Sequence, residues 1–308
     1  MNNLAPVVLF VYNRPEHTKK TLEALANNEL ANKTKLYVFS DGPKNSDNEL
    51  IAKIEEVRSI VRMKNWCNEV NLYSSVSNMG LAQSIIKGVT EVINQHGKVI
   101  VLEDDLITSP GFLNYMNDAL NFYQNTKKVM SISAYMFPHK EQLPETFLYN
   151  APYPWGWATW KDSWKNFVDD AHGLYQKADD EKKWDAFNAF GGKMLQKQLK
   201  ANVDGSLKTW YIKWHASVFF KNGLSLYPGQ SLVNNIGLDN TGAHCASVSN
   251  FDIDKLAESV EIKDIPLNTN KKARKIIIKF YQGKNYWFKR IVFKYTPGFI
   301  KLILKKFV

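Results

Sequence analysis

The first 105 residues alternate two periodicities, and that alternation leaves few folds open. Apolar runs of strand length stand at VVLFVY (7–12), KLYVFSDG (35–42), EVNLYSS (69–75) and KVIVLEDD (98–105). Between them lie segments with helical spacing. Pro15 marks a helix start ahead of Leu22 and Leu25; residues 48–63 place Ile51, Ile54, Val57, Ile60 and Val61 on one face; residues 80–97 make a third helix that stops at Gly97. A β-α-β-α-β-α-β order implies right-handed crossovers, so it predicts an α/β fold, a Rossmann-like and mostly parallel sheet flanked by helices. Ligands of such sheets bind outside the carboxyl ends of the strands. Those ends carry Asn13 and Arg14, Asp41, Asn78, and the run Glu103-Asp104-Asp105. Four loops therefore converge on one place.

Three consecutive acids at a strand end repel one another and are costly to bury, so they need a positive partner. A hard divalent cation, Mn2+ or Mg2+, takes oxygen ligands, brings phosphate oxygens with it and screens a departing diphosphate. The plainer reading is three solvated loop acids. No GxGxxG follows the first strand and no GxxxxGK[ST] occurs, which disfavours a dinucleotide dehydrogenase and a P-loop NTPase; nor is there a serine nucleophile elbow.

Beyond residue 127 the pattern is less regular and richer in helix. VMSISAY (129–135) reads as a strand, and YNAPYPWGWATWKDSW (149–164) as a loop leading into a helix. Residues 181–201 and 208–223 read as helices, the first weakened by the Gly pair 191–192; LSLYP is a short strand and VNNIGLDNTGAHC (233–245) a polar loop. The expected organisation is one domain over 1–265, nucleotide-binding in 1–127 and acceptor-binding in 128–265, followed by a tail over 266–308.

The tail decides what the net charge of +10 means. Residues 271–308 hold 12 Lys or Arg and no acid, which leaves −2 for the first 270. Interleaved with Ile, Phe, Trp and Tyr, these basic residues suit an anionic membrane surface, each adding on the order of 1 kcal/mol near it. A helix packed on the domain is the alternative; nucleic acid is set aside because the body is nearly neutral and no recognised binding pattern occurs. Cys67 and Cys245 lack metal or disulfide spacing, and neither an export leader nor an uncharged run of 18 residues is present. The expectation is a cytoplasmic protein, peripheral on the inner face of the cell membrane.

Together these residues resemble the nucleotide-sugar glycosyltransferases of the GT-A fold. VVLFVYNRPEHT is similar to the strand and loop over the nucleotide base in family 2 transferases, and SNMGLAQSIIKGV to their Asn-x-Gly helix start, here Asn78 and Gly80. SDG at 40–42 resembles the segment whose aspartate, Asp41 here, reads uracil. VLEDD and the second half look more like N-acetylglucosaminyltransferase I. That resemblance implies Asp105 as metal ligand with His244 beside it, Asp104 facing sugar or ribose, Glu103 supporting the site, and Trp155, Gly156 and Trp157 in the acceptor loop. Asn13 and Arg14 belong to the nucleotide side.

What the resemblance implies is a metal-dependent, inverting transfer from a UDP-sugar to a lipid-linked or polysaccharide acceptor. An undecaprenyl-diphosphate-linked glycan would suit the tail. Where that relative has a Trp-Asp-Asp-Trp segment supplying its base, this chain has Leu207-Lys208-Thr209-Trp210 without an acid. Asp204, Asp239 and Asp162 are the candidate bases, Asp204 first because it lies just before that helix. Trp160, Trp164, Trp210 and Trp214 read as core, and His17, His96, His139, His172 and His215 as structural or surface residues. The competing functions are a nucleotidyltransferase and a catalytically degenerate membrane scaffold.

Overall fold

The computed structural model describes residues 4–189, 192–239, 251 and 253–281. Its first half realises the predicted alternation: β1 (Val7–Val11), α1 (Pro15–Ala26), β2 (Lys35–Ser40), α2 (Asn48–Arg62), β3 (Glu69–Ser74), α3 (Leu81–His96) and β4 (Lys98–Glu103). There follow β5 (Leu106–Thr108), α4 (Phe112–Phe122), β6 (Val129–Ser133), β7 (Thr146–Tyr149), β8 (Trp157–Trp160), α5 (Lys161–Trp164), α6 (Ala171–Asp180), α7 (Trp184–Phe187), α8 (Lys193–Val203), α9 (Tyr211–Phe220), β9 (Leu224–Pro228) and β10 (Val233–Asn235).

Eight of the described strands form one sheet in the order β3-β2-β1-β4-β8-β6-β9-β7. Four of its seven pairings are parallel, including all three among β1 to β4. The two-residue period of the strands sorts the core onto two faces. Val7, Leu9 and Val11 pack with α1, α2 and α4 on one side; Val8 and Phe10 pack with Ile85, Val89, Val92 and Ile93 of α3 on the other. Each of these buried apolar side chains stabilises the fold by about 1.5–3 kcal/mol. Helix ends match the sequence signals. Asp47 caps α2 by accepting from Glu49 N, and α3 stops at Gly97, whose left-handed φ of 76° lets its N–H reach Ile93 O at 2.8 Å.

Three expectations change. The segment 149–164 is not a loop: β8 enters the sheet between β4 and β6, because Trp157-Ala158-Thr159-Trp160 alternates faces and all four are buried. Trp157 packs at 5.0 Å from Trp210 and 5.7 Å from Trp164, a cluster that also takes in Trp214. The helix expected over 181–201 is two, α7 and α8, with Gly192 at the N-cap of the second.

The tail also divides. Residues 271–281 are helical, with Ala273, Ile276 and Ile277 buried against the body and Lys271, Lys272 and Lys275 outward. Phe280 and Tyr281 sit 4.8 and 5.1 Å from the Phe137 ring. So this first part packs on the domain, while 282–308 lie outside the described residues. Among the described residues no helix is long and apolar enough to cross a membrane.

Candidate functional site

The parallel strands β1, β2 and β4 end at one edge of the sheet, and that edge carries the candidate site. Arg14 leaves β1 as the N-cap of α1, with Pro15 starting the helix behind it. The acids follow β4 directly, and their loop is held by Thr21 of α1, whose hydroxyl donates to Asp104 O at 2.9 Å. A separate two-stranded ribbon, β5 with β10, runs antiparallel and pairs Leu106 with Asn235. It delivers residues 236–239 onto the acids: Ile236 N donates to Asp105 O at 2.9 Å.

Arg14 is the cation that answers the triplet. Its Nη1 donates to Asp105 Oδ2 at 2.9 Å and stands 3.9 Å from Asp104 Oδ1, while Nη2 reaches Asp239 Oδ1 at 3.4 Å. His17, one turn further along α1, places Nε2 3.0 Å from Asp239 Oδ2. The Arg14, Asp104 and Asp105 side chains are all nearly buried. Burial, reinforced by the neighbouring charges of Asp105 and Asp104, pushes the Glu103 carboxyl well above the usual range. Asp104 is pushed up to about 7 by burial and then by the Asp105 charge, with Arg14 opposing. Asp105 is also raised by burial, against the pull of Arg14. The triplet therefore carries fewer than three negative charges near neutrality.

The metal role expected of Asp105 and His244 falls partly outside the described residues. Among the described residues no three His, Cys, Asp or Glu side chains group to hold an ion. The Asp105 oxygen nearest Arg14 is also covered by backbone, since a Cβ placed on Gly237 would lie 2.0 Å from Oδ2. His244, the other expected ligand, lies outside the described residues.

Asp41 follows β2 at the same edge, and three backbone donors hold its carboxylate. Gly42 N and Met79 N each donate to Oδ1 at 2.9 Å, and Gly80 N donates to Oδ2 at 2.9 Å. Asn78 Nδ2 donates to Gly42 O at 2.9 Å and closes the same two loops. Asp41 lines a cavity of about 220 Å³ with Tyr73, Ser75 and Lys87. Asn13 is half-buried between β1 and Arg14.

Of the three candidate bases, only Asp239 is brought to the acids. Asp162 follows Trp160, which pairs with Lys98 at the opposite end of β4. That is roughly 17 Å of strand from Glu103. Asp162 is exposed and bonded to Lys165, which lowers its pKa. Asp204 caps the end of α8, is exposed and is held below the usual carboxylate range by Ser206. Its chain neighbours Asn202, Val203 and Gly205 line a cavity of about 510 Å³ whose other wall is the start of α3.

In the half expected to bind the acceptor, β8 and β6 place Trp157 and Ser133 level with Val101 of β4, so Trp155 and Tyr135 reach the edge where the acids stand. Trp155 is half-buried, 4.7 Å from the Tyr135 ring and 5.6 Å from that of Phe251. Trp157 points away, into the tryptophan cluster. Gly156 is buried, and its carbonyl accepts from Ala134 N at 2.8 Å. His17, read from sequence as a structural or surface residue, stands on the first turn of α1 three residues after Arg14 and so faces the same acids.

No family model and no curated protein matches the sequence. Solved structures of related shape include the mannosyltransferase PcManGT of Pyrobaculum calidifontis in complex with GDP-Man and Mn2+, at 11% identity and TM-score 0.39, covering 70% of this chain and 69% of that one. S. aureus TarS 1–349 overlays at 12% identity and TM-score 0.38 over 75% of this chain and 59% of its own. Mouse xyloside xylosyltransferase 1, in its apo form, gives 12% identity and TM-score 0.30 over 42% and 52%. The chain thus spans little more than half the length of the last two, and no residue role passes from any of the three to this chain.

Proposed function

We propose that this protein is a glycosyltransferase of the GT-A type that takes a sugar from a UDP-linked donor and passes it, with inversion, to a hydroxyl of a glycan acceptor. The observation that carries the reading is the meeting of Arg14, Asp104, Asp105 and Asp239 beyond the carboxyl ends of β1 and β4. In an open parallel sheet that edge is the ligand crevice. In the reaction the acceptor oxygen bonds to the anomeric carbon as the bond from that carbon to the diphosphate oxygen breaks. The electron pair leaves with the diphosphate, whose growing charge faces the Arg14 guanidinium. The acceptor proton passes to Asp239, the one candidate carboxylate standing at the acids and steadied by His17. Trp155 and Tyr135 offer aromatic faces to the acceptor sugar.

The test is a panel of UDP-sugars scored for nucleoside diphosphate release. Asp239→Ala should lower release by about two orders of magnitude, the usual range for loss of a general base, and Asp162→Ala should leave it unchanged. Equal loss in both variants, or none in either, removes Asp239 from the role. Release of pyrophosphate from a nucleoside triphosphate would make the protein a nucleotidyltransferase; absence of any nucleotide binding would leave a scaffold.

A lipid-carried acceptor, such as an undecaprenyl-diphosphate-linked glycan, fits the basic residues of 282–308, which hold seven of the tail's Lys or Arg. Deleting 282–308 should abolish binding to anionic vesicles in a flotation assay while UDP binding stays as it was. Vesicle binding that survives the deletion rejects the tail as the membrane contact.

A further inference from the structure

We propose that Arg14 is the resident cation of this crevice, and that the protein binds and uses its donor without a divalent ion. The proposal rests on the nucleotide-sugar reading above and deepens it. Three carboxylates from two segments far apart in the chain meet one guanidinium: Asp105 at 2.9 Å, Asp104 at 3.9 Å and Asp239 at 3.4 Å. Because Arg14 is the N-cap of α1, the positive end of that helix faces the same acids. A divalent ion seeking Asp105 Oδ2 would have to displace the guanidinium from an oxygen that Gly237 also packs against, too closely for a Cβ at that position. The displaced guanidinium would then lie beside the ion as a like charge, in a place where water screens little.

Arginine is also suited to what the ion would do. Its planar fork matches phosphate oxygens and keeps its charge at every working pH. The contact with Asp239 is longer than that with Asp105, and Asp239 is the more exposed acid. It is therefore the contact that an entering diphosphate replaces. Asp105 keeps the guanidinium in place, and Asp239 exchanges its Arg14 contact for the acceptor hydroxyl while His17 still holds its other oxygen.

The experiment measures two bindings on the full chain. UDP affinity is measured by calorimetry in EDTA and in Mn2+, and Mn2+ uptake by the loss of the free-ion paramagnetic resonance signal, with and without UDP. Wild type and Arg14→Gln are compared, with circular dichroism to confirm the fold. Wild-type affinity for UDP should differ by less than about threefold between EDTA and Mn2+. R14Q should lose about tenfold to a hundredfold in EDTA, the usual worth of a charge-assisted phosphate contact. It should also take up Mn2+ that wild type refuses, because its carboxylates have lost their counter-ion.

Wild-type UDP binding that requires Mn2+ would overturn the proposal while leaving the donor reading intact. No UDP binding by wild type under any condition would sink the donor reading and the proposal with it. R14Q that binds UDP like wild type and takes up no Mn2+ would also overturn it. Should R14Q fail to fold, the comparison of wild type in EDTA and Mn2+ decides alone.

Discussion

Replacing Asp105 with asparagine is expected to cut nucleoside diphosphate release by about two orders of magnitude with little change in thermal stability, an effect of the size seen when a preorganised electrostatic group is lost. The side chain keeps its shape, so the packing beneath Gly237 should persist. What disappears is the charge that holds Arg14 Nη1 at 2.9 Å. An uncharged amide cannot fix a guanidinium in the same way, and Arg14 would swing toward Asp239 or Asp104, away from the place where the diphosphate charge develops. Asp104 should respond as well: with the Asp105 charge gone, one of the causes that raise its pKa disappears and it should ionise at lower pH. Release rates measured beside a melting curve decide the matter. An unchanged rate would remove Asp105 from the chemistry, and a collapsed melting temperature would make it a structural residue.

The second large effect should come from Asp41→Ala, and on stability before activity. Its carboxylate takes three backbone N–H donors, from Gly42, Met79 and Gly80, and so ties the loop after β2 to the start of α3. Truncation leaves those donors without the acceptor they have in the fold. At 8% exposure, water can replace the carboxylate only in part. The cost should be about 3 kcal/mol, in keeping with hydrogen bonds to a charged group. Urea unfolding measures it directly, and a loss below about 0.5 kcal/mol would show that the loops hold one another without the acid. Because the same two loops line the cavity beside Tyr73, UDP affinity should fall in parallel.

The first four strands and three helices were legible because short runs such as the unbroken apolar Val7–Val11 alternate with segments of helical spacing such as Leu81–His96. The loops at the sheet edge followed from that order alone. β8 was not legible, since its tryptophans and the prolines before it look like a loop until β4 and β6 stand on either side. β5 and β10 are three residues each, too short to show any period, yet their pairing places Asp239 and the covering Gly237. The meeting of loops at the sheet edge could therefore be read from sequence. The pairs formed there could not, because the 91 and 225 residues between Arg14 and the acids it holds are closed by tertiary pairing.

The helix over 271–281 fixes a point of departure. Its last aromatic rings seat against Phe137, a few residues beyond β6, on the rim that also carries Trp155. The described chain therefore ends beside the crevice that Arg14 and the acids line. On the function proposed above, an acceptor held on a surface at that rim would be met at the local density of the surface instead of its dilution in bulk solution.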